Sequence, residues 1–532
     1  MSPASSSPQD PSSPVESFDV VIVGGAFAGA SSALLLLRER PQTRVLVVER
    51  SERFGSKVGE ATVEVSGLFI QTVLGLERHL AEAHLPKHGL RFWFTDGPDR
   101  SLAEMTEIGP GRPPDLPSFQ LDRARLDQHL LEQAVAAGAR LLRPARVSAV
   151  EEGWPQTRVT VTDAAGAART VSCRWLIDAS GRFAYLGRSR NLLRNNHDHP
   201  TAAAWARWHG VADLDGPAIL GDDPEHPRIP RLRAVRRYAT NHFCGYGWWA
   251  WVIPLASGRT SVGLVWDRRL FDPPGSGDVR DRAEAFLRIQ PGLRELLADA
   301  TVDPGDRHAY AHLAYRTERY ADRGWAMVGD AAAFIDPYYS PGLDHCSISV
   351  FATVRLIGAE LAGRLEGESL EAAIARHNGV FARSYDRWFD ALYRNKYELL
   401  GDADLVSAAF LVETALYYLG VVTPAYRRRE SLENAVFGLE LPQARIAYRL
   451  ARGFSRRLVA LAAIRRRTGV YGRRNVGRRL YIRGFALGRG ALPALGLGLR
   501  IWARTELETL AARLRLLPAP TRASQPAGDP AS

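Results

Sequence analysis

The stretch Val20-Val-Ile-Val-Gly-Gly-Ala-Phe-Ala-Gly29, followed by an acidic residue at Glu49, constrains this chain more than any other feature. Val20 to Val23 are four consecutive apolar β-branched residues with no solvated face, and they read as a buried parallel strand. Gly24 permits the tight turn out of that strand, and Gly29 lets the following apolar helix, Ala30 to Leu37, pack closely on the sheet. The unpaired N–H groups at the start of that helix suit a pyrophosphate. A second strand, Arg44 to Val48, ends at Glu49, about twenty residues past the last glycine, where a carboxylate can hold ribose hydroxyls. Ala26 replaces the middle glycine of the usual fingerprint, so the backbone approaches the phosphates less closely. Strand, glycine turn, helix and acidic strand end together predict an adenine dinucleotide on the N-terminal half.

At 532 residues the chain is long enough for two or three domains. Residues 1–17 are Ser/Pro-rich, with neither the charged nor the apolar region of a signal peptide, and read as a disordered tail; 516–532 read likewise. Cys173, Cys244 and Cys346 are odd in number and widely spaced. That argues against a disulfide scaffold or a metal site and fits a reducing, cytoplasmic setting.

The net charge of +11 is concentrated in the C-terminal third, in runs such as Arg427 to Arg429 and Arg465 to Arg467. Solvated helix faces are the first expectation for these runs. Peripheral contact with anionic lipid or an acidic carrier protein is the second. No recognition motif accompanies the charge, so nucleic acid is not expected as a partner.

Past the first strand–helix–strand unit, residues 51–118 look irregular, and a helix is expected over Ala124–Ala137. A strand and hairpin follow, and the apolar strand Trp175 to Ile177 runs into Asp178-Ala-Ser-Gly181. Alternating, aromatic-rich segments between about 191 and 310 predict an inserted antiparallel sheet. The nucleotide domain then spans 18–345 discontinuously, returning at Ala326-Met-Val328 before Gly329-Asp330, and 346–515 reads as a helical region.

Gly329-Asp-Ala-Ala-Ala-Phe-Ile-Asp-Pro337 resembles the second FAD motif of the glutathione-reductase-type flavoprotein superfamily, in which the strand-end aspartate, here Asp330, bonds the ribitol chain. Asp178 to Gly181 resembles that superfamily's strand-end loop near the cofactor, and Arg123 matches its arginine near the pyrophosphate. The resemblance implies an α/β, Rossmann-like FAD-binding domain. It implies cofactor contacts at Gly24, Gly25, Ala26, Ala28, Gly29, Glu49, Arg123, Val147, Asp178, Gly329, Asp330, Pro337, Gly342 and Leu343.

Two further motifs resemble the flavin-dependent halogenases: Lys57-Val-Gly-Glu-Ala-Thr62, and Trp249-Ala-Trp-Val-Ile-Pro254, which matches their Trp-x-Trp-x-Ile-Pro signature. Lys87 is placed like the active lysine of halogenases acting on phenols and pyrroles. In that family, reduced flavin, dioxygen and halide yield hypohalous acid, which travels through an internal passage to the lysine. A partly desolvated amine can serve there as hydrogen-bond donor or nucleophile.

The segment Asp336-Pro-Tyr-Tyr-Ser-Pro-Gly342 departs from the family. Pro341 has no N–H to offer a halide, and Tyr339 stands where tryptophan halogenases carry an acid. A monooxygenase, or a reductase or dehydrogenase of prenyl-like chains, therefore stays open beside halogenation. A flavin-carrying scaffold is the non-enzymatic alternative. No second glycine-rich fingerprint is present, so electrons would come from a flavin reductase or transiently bound NAD(P)H. His84, His88, His242 and His345 are candidate acid/base groups, Glu60 is a candidate flavin-region contact, and no metal ligands are expected.

Overall fold

The computed structural model describes residues 15–216, 235–433 and 438–517. Most of the two predicted tails therefore lies outside the described residues. The first strand, Glu16–Val23, starts inside the expected N-terminal tail, because Glu16 and Ser17 already pair with Val171 and Ser172. Its parallel neighbours are Val45–Val48 and Ala168–Asp178, flanked in turn by Arg140–Leu142 and Trp325–Met327. This is the expected Rossmann-like sheet. Ala168–Asp178 serves twice: its first half pairs antiparallel with Thr157–Asp163, and from Val171 onward it lies parallel to the first strand.

The helix Phe27–Glu39 is apolar all round because it is enclosed. It packs between the helices Arg123–Ala136 and Gly342–Leu361, with Ala30, Ala33, Leu34 and Leu36 buried.

Among the described residues the second sheet has eight strands: Thr301–Tyr310, Thr201–His209, Thr260–Asp267, Trp248–Pro254, Thr240–Gly245, Leu90–Phe94, Thr106–Pro110 and Arg479–Ile482 in spatial order. It corrects two expectations. Leu90–Phe94 and Thr106–Pro110 come from the stretch read as irregular, and Leu90–Phe94 adds to the sheet parallel to Thr240–Gly245. All five residues of Leu90–Phe94 are buried, so no two-residue alternation marks it as a strand. The outermost strand, Arg479–Ile482, comes from the region read as helical. Four residues carry no periodicity. What holds them is Glu107, buried in the neighbouring strand, which accepts from Tyr481 Oη at 3.0 Å and Arg236 Nε at 2.8 Å and is ion-paired to Arg91.

Helices Gly342–Leu361, Gly367–Trp388, Ala403–Tyr417, Pro442–Arg467 and Leu492–Arg513 dominate the remainder. The segment Ala403–Arg427 is long and apolar enough to cross a bilayer, but two-thirds of its most apolar stretch is buried inside the molecule and it carries the Glu413 partner of Lys396, as a core helix does. Solvated faces account for only part of the arginine-rich region. Arg465 is buried against Asp402 and Glu508, while Arg474, Arg478 and Arg504 converge on the buried Asp404. Those acids lie tens of residues from the arginines they neutralise, so the sequence pattern could not pair them.

Candidate active site

The glycine turn forms a cradle that side chains would fill. Gly24 has φ +97°, and a Cβ on it would lie 2.6 Å from Ala179 O; one on Gly29 would lie 1.8 Å from Gly24 O. Among the described residues no side chain caps the helix that starts at Phe27, and no acid sits in its first turn. The N–H groups of Phe27, Ala28 and Gly29, beyond Ala26, therefore remain available to an anion. Glu49 accepts from Gly25 N at 2.7 Å and Ser51 N at 2.8 Å, which aims its carboxylate along the turn.

Asp330 follows Gly329 at the end of the Trp325–Met327 strand and lines a cavity with Phe334, Gly342, His345 and Tyr385. Burial raises its pKa, and among the described residues no hydrogen bond reaches its carboxylate. A half-buried acid that lines a cavity without hydrogen-bond partners suits the hydroxyls of a ribitol chain. Arg123 is held by Asp127 and by the carbonyls of Val58 and Gly59, and it contributes to the field at Asp330. The residues present thus fit FAD: a phosphate cradle, a ribose carboxylate, and a ribitol carboxylate at the same carboxyl end of the parallel strands.

The other predicted contacts differ in character. The Asp178 carboxylate is engaged by Ser180 N, Ser180 Oγ and Leu186 N, so it holds its own loop against the glycine turn. Val147 is buried in the strand Ala145–Glu151, opposite Val161. Glu60 forms a buried ion pair with Arg207, which also reaches Asp306. His84 accepts from Asp122 N. His88 rests edge-on against Tyr238. His242 stacks on Trp249 and is held neutral, at about 3, by burial and then by Lys87. His345 is lowered to about 4 by burial. Trp249 and Trp251 share one face, bonded to Tyr397 Oη and Ser261 Oγ, and Trp249 packs against Tyr338.

Between Pro337 and Gly342 the backbone makes a sharp bend. Tyr339 and Ser340 both take left-handed conformations, with φ +72° and +60°. Such geometry costs on the order of 1–2 kcal/mol per residue and persists only where the surroundings impose it. Here Asp336 accepts from Tyr338 N at 2.8 Å, Ser340 N bonds Pro337 O at 2.9 Å, and Tyr393 Oη bonds Tyr338 O at 2.9 Å. The bend starts the Gly342–Leu361 helix, whose first N–H groups, including those of Gly342 and Leu343, have no intrahelical acceptor.

The bend also brings Ser340 to Lys87. That lysine is 2% exposed, not a surface residue. Its backbone N–H bonds Ser118 O, its Nζ donates to Thr62 O at 2.6 Å, and Ser340 Oγ is 3.5 Å away. Burial lowers its pKa to about 8, with Glu64 and Asp344 opposing the shift. Lys87 faces a second cavity, walled by Phe410, Phe485, Tyr393 and Tyr418 and carrying the carboxylates Glu64, Asp344 and Glu413. Pro341, Asp344, Trp388 and Tyr417 line both cavities, so they form the partition between the Asp330 side and the Lys87 side. Sequence reasoning missed Asp344, Tyr417 and Glu413. Asp344 directly follows Leu343 of the motif, but an acid in a first helical turn is ordinarily a partner for the helix dipole.

A family described as "FAD binding domain" matches residues 17–376. A flavin-dependent halogenase of Dictyostelium discoideum is 27% identical over 450 residues, covering 77% of this chain and 71% of that protein. A sulochrin halogenase of Aspergillus terreus is 25% identical, covering 69% and 67%. Among solved structures, the halogenase PltM in complex with phloroglucinol and FAD aligns with TM-score 0.68 at 18% identity, over 92% of this chain and 96% of that one. These similarities favour the halogenase resemblance over the hydroxylase, prenyl-chain reductase and scaffold alternatives. The chain belongs to the FAD-binding-domain family, as an FAD-dependent oxidoreductase resembling the flavin-dependent halogenases.

Proposed function

We propose that this enzyme halogenates an electron-rich aromatic small molecule held in the Lys87 cavity. The observation that carries the reading is the buried Lys87 ammonium facing an aromatic-walled cavity that shares one wall with the flavin-side cavity. When bound and reduced, FAD supplies the chemistry that turns dioxygen and halide into hypohalous acid. Gly24, Gly29, Glu49, Arg123 and Asp330 would hold that group. With proline at 341, the N–H groups of Gly342 and Leu343 are left as the backbone donors for halide at the helix start.

On the far side of the partition, the Lys87 ammonium donates to the oxygen of the hypohalous acid. The O–halogen bond breaks as the ring attacks the halogen. Thr62 O and Ser340 Oγ orient the ammonium, and the aromatic walls exclude water that would compete for the oxidant.

The test supplies the protein with a separate flavin reductase, NADH, oxygen and bromide. A panel of phloroglucinol, resorcinol, indole and pyrrole is then read by mass spectrometry. We expect bromine in a ring product, lost when bromide is omitted. An oxygenated product without halogen would overturn the reading in favour of a hydroxylase.

A further inference from the structure

We propose that Asp344 is the general base that removes the ring proton after halogen transfer, working beside Lys87 in the substrate cavity that both line. The proposal rests on the halogenation reading above. Electrophilic substitution needs two groups: one to assist departure of the hypohalous oxygen, and one to take the proton from the halogenated ring carbon. Lys87 supplies the first. Tyr339, a buried phenol whose pKa burial pushes well up, cannot be the second near neutral pH.

Among the described residues three carboxylates line the cavity, and their engagements separate them. Glu413 is bound through both oxygens to Lys396 Nζ, at 2.6 and 2.7 Å, so its charge is already neutralised. Glu64 accepts from Tyr418 Oη at 2.7 Å and sits at the start of the short Glu64–Leu68 helix. Asp344 stands in the partition, on the helix that the Tyr339–Ser340 bend launches. The segment that brings Ser340 to Lys87 therefore also sets Asp344, and the two groups are positioned together. Ser66 N donates to one Asp344 oxygen at 2.8 Å and Tyr417 Oη to the other at 2.5 Å, which fixes the carboxylate while leaving further lone pairs.

Burial raises the Asp344 pKa to about 6, against the hydrogen bonds from Tyr417 and Ser66 that favour the charged form. The group is thus ionised at neutral pH yet more basic than an ordinary aspartate, as a general base should be. The titratable groups that face it are Glu64, Lys87, Tyr393, Tyr417 and Tyr426.

The step balances as follows. A ring π pair forms the carbon–halogen bond, and the O–halogen pair stays on oxygen. That oxygen takes the Lys87 proton and leaves as water. The C–H pair restores aromaticity as Asp344 takes the ring proton, and transfer of that proton from Asp344 to the Lys87 amine resets both groups. The sum is ArH + HOX → ArX + H2O.

The experiment compares wild type, Asp344→Asn, Tyr417→Phe and Glu64→Gln in single-turnover halogenation across pH 5 to 9. It uses the panel compound that wild type turns over fastest and its ring-deuterated form. Wild type should lose rate below about pH 6, as Asp344 protonates, and above about pH 8, as Lys87 deprotonates. Asp344→Asn should be about a hundredfold slower at pH 7, lack the acid limb and gain a ring-deuterium isotope effect that wild type lacks. Tyr417→Phe removes a hydrogen bond to the charged form, so it should move the acid limb to higher pH even if Asp344→Asn folds poorly. Glu64→Gln should keep the limb whatever its rate. An Asp344→Asn enzyme that keeps the limb and shows no isotope effect overturns the proposal, as does an unmoved limb in Tyr417→Phe. Failure of wild type to halogenate any panel member would instead remove the underlying reading.

Discussion

Lys87→Ala is expected to abolish halogenated product, by about a thousandfold or more, while the protein keeps its yellow cofactor. Lys87 lies on the opposite side of the partition from Asp330 and touches none of the groups that form the dinucleotide cradle. FAD content and the flavin spectrum should therefore match wild type, and consumption of reduced flavin by oxygen should continue. What disappears is the hydrogen-bond donor that holds hypohalous acid beside the ring. Lys87→Arg should not rescue it. A guanidinium stays protonated, so it cannot give up and regain a proton near neutral pH, and its planar fork does not fit where Nζ sits 2.6 Å from Thr62 O. Product yield by mass spectrometry, beside flavin absorbance, decides the matter. Halogenation within tenfold of wild type in Lys87→Ala would remove this lysine from the chemistry.

Gly29→Ala should produce the largest loss of cofactor. The added Cβ would stand 1.8 Å from Gly24 O, 3.0 Å from Gly24 C and 3.1 Å from Ile22 Cγ2. The first two obstacles are backbone atoms of the glycine turn, which no rotamer change can clear. The helix must move off the sheet, a cost of about 3 kcal/mol as overpacking. The N–H groups that would bind the pyrophosphate move with it. We expect FAD-free protein with a lowered unfolding temperature, measured by the FAD-to-protein ratio and by thermal melting. Gly55→Ala is the matched control: nothing lies within 4 Å of its added Cβ, and it should change neither quantity. Full FAD occupancy in Gly29→Ala would contradict the packing argument.

The dinucleotide half was legible because its signals are local. A run of β-branched residues, a glycine turn and an apolar helix act within about thirty residues of each other, and the acid at Glu49 ends the adjoining strand. The second sheet was legible only where strands alternate or carry aromatic pairs, as at Trp248–Pro254. Leu90–Phe94 and Arg479–Ile482 escaped because one is buried on every side and the other is four residues long. Each becomes a strand through a partner far away in sequence.

The chemical half shows the same division. Residue order alone determined that the chain carries an FAD domain and that Lys87 resembles a halogenase lysine. Whether Lys87 is a solvated surface group or a desolvated donor was decided by the fold, which clamps it between Thr62, Ser118 and the Ser340 bend. The fold likewise made Asp344 part of the wall between two cavities and spent Glu413 on Lys396. The reason is physical: turn and helix preferences are written in neighbouring residues. Desolvation, by contrast, depends on which distant surfaces close over a group, and that is known only when the whole chain has packed.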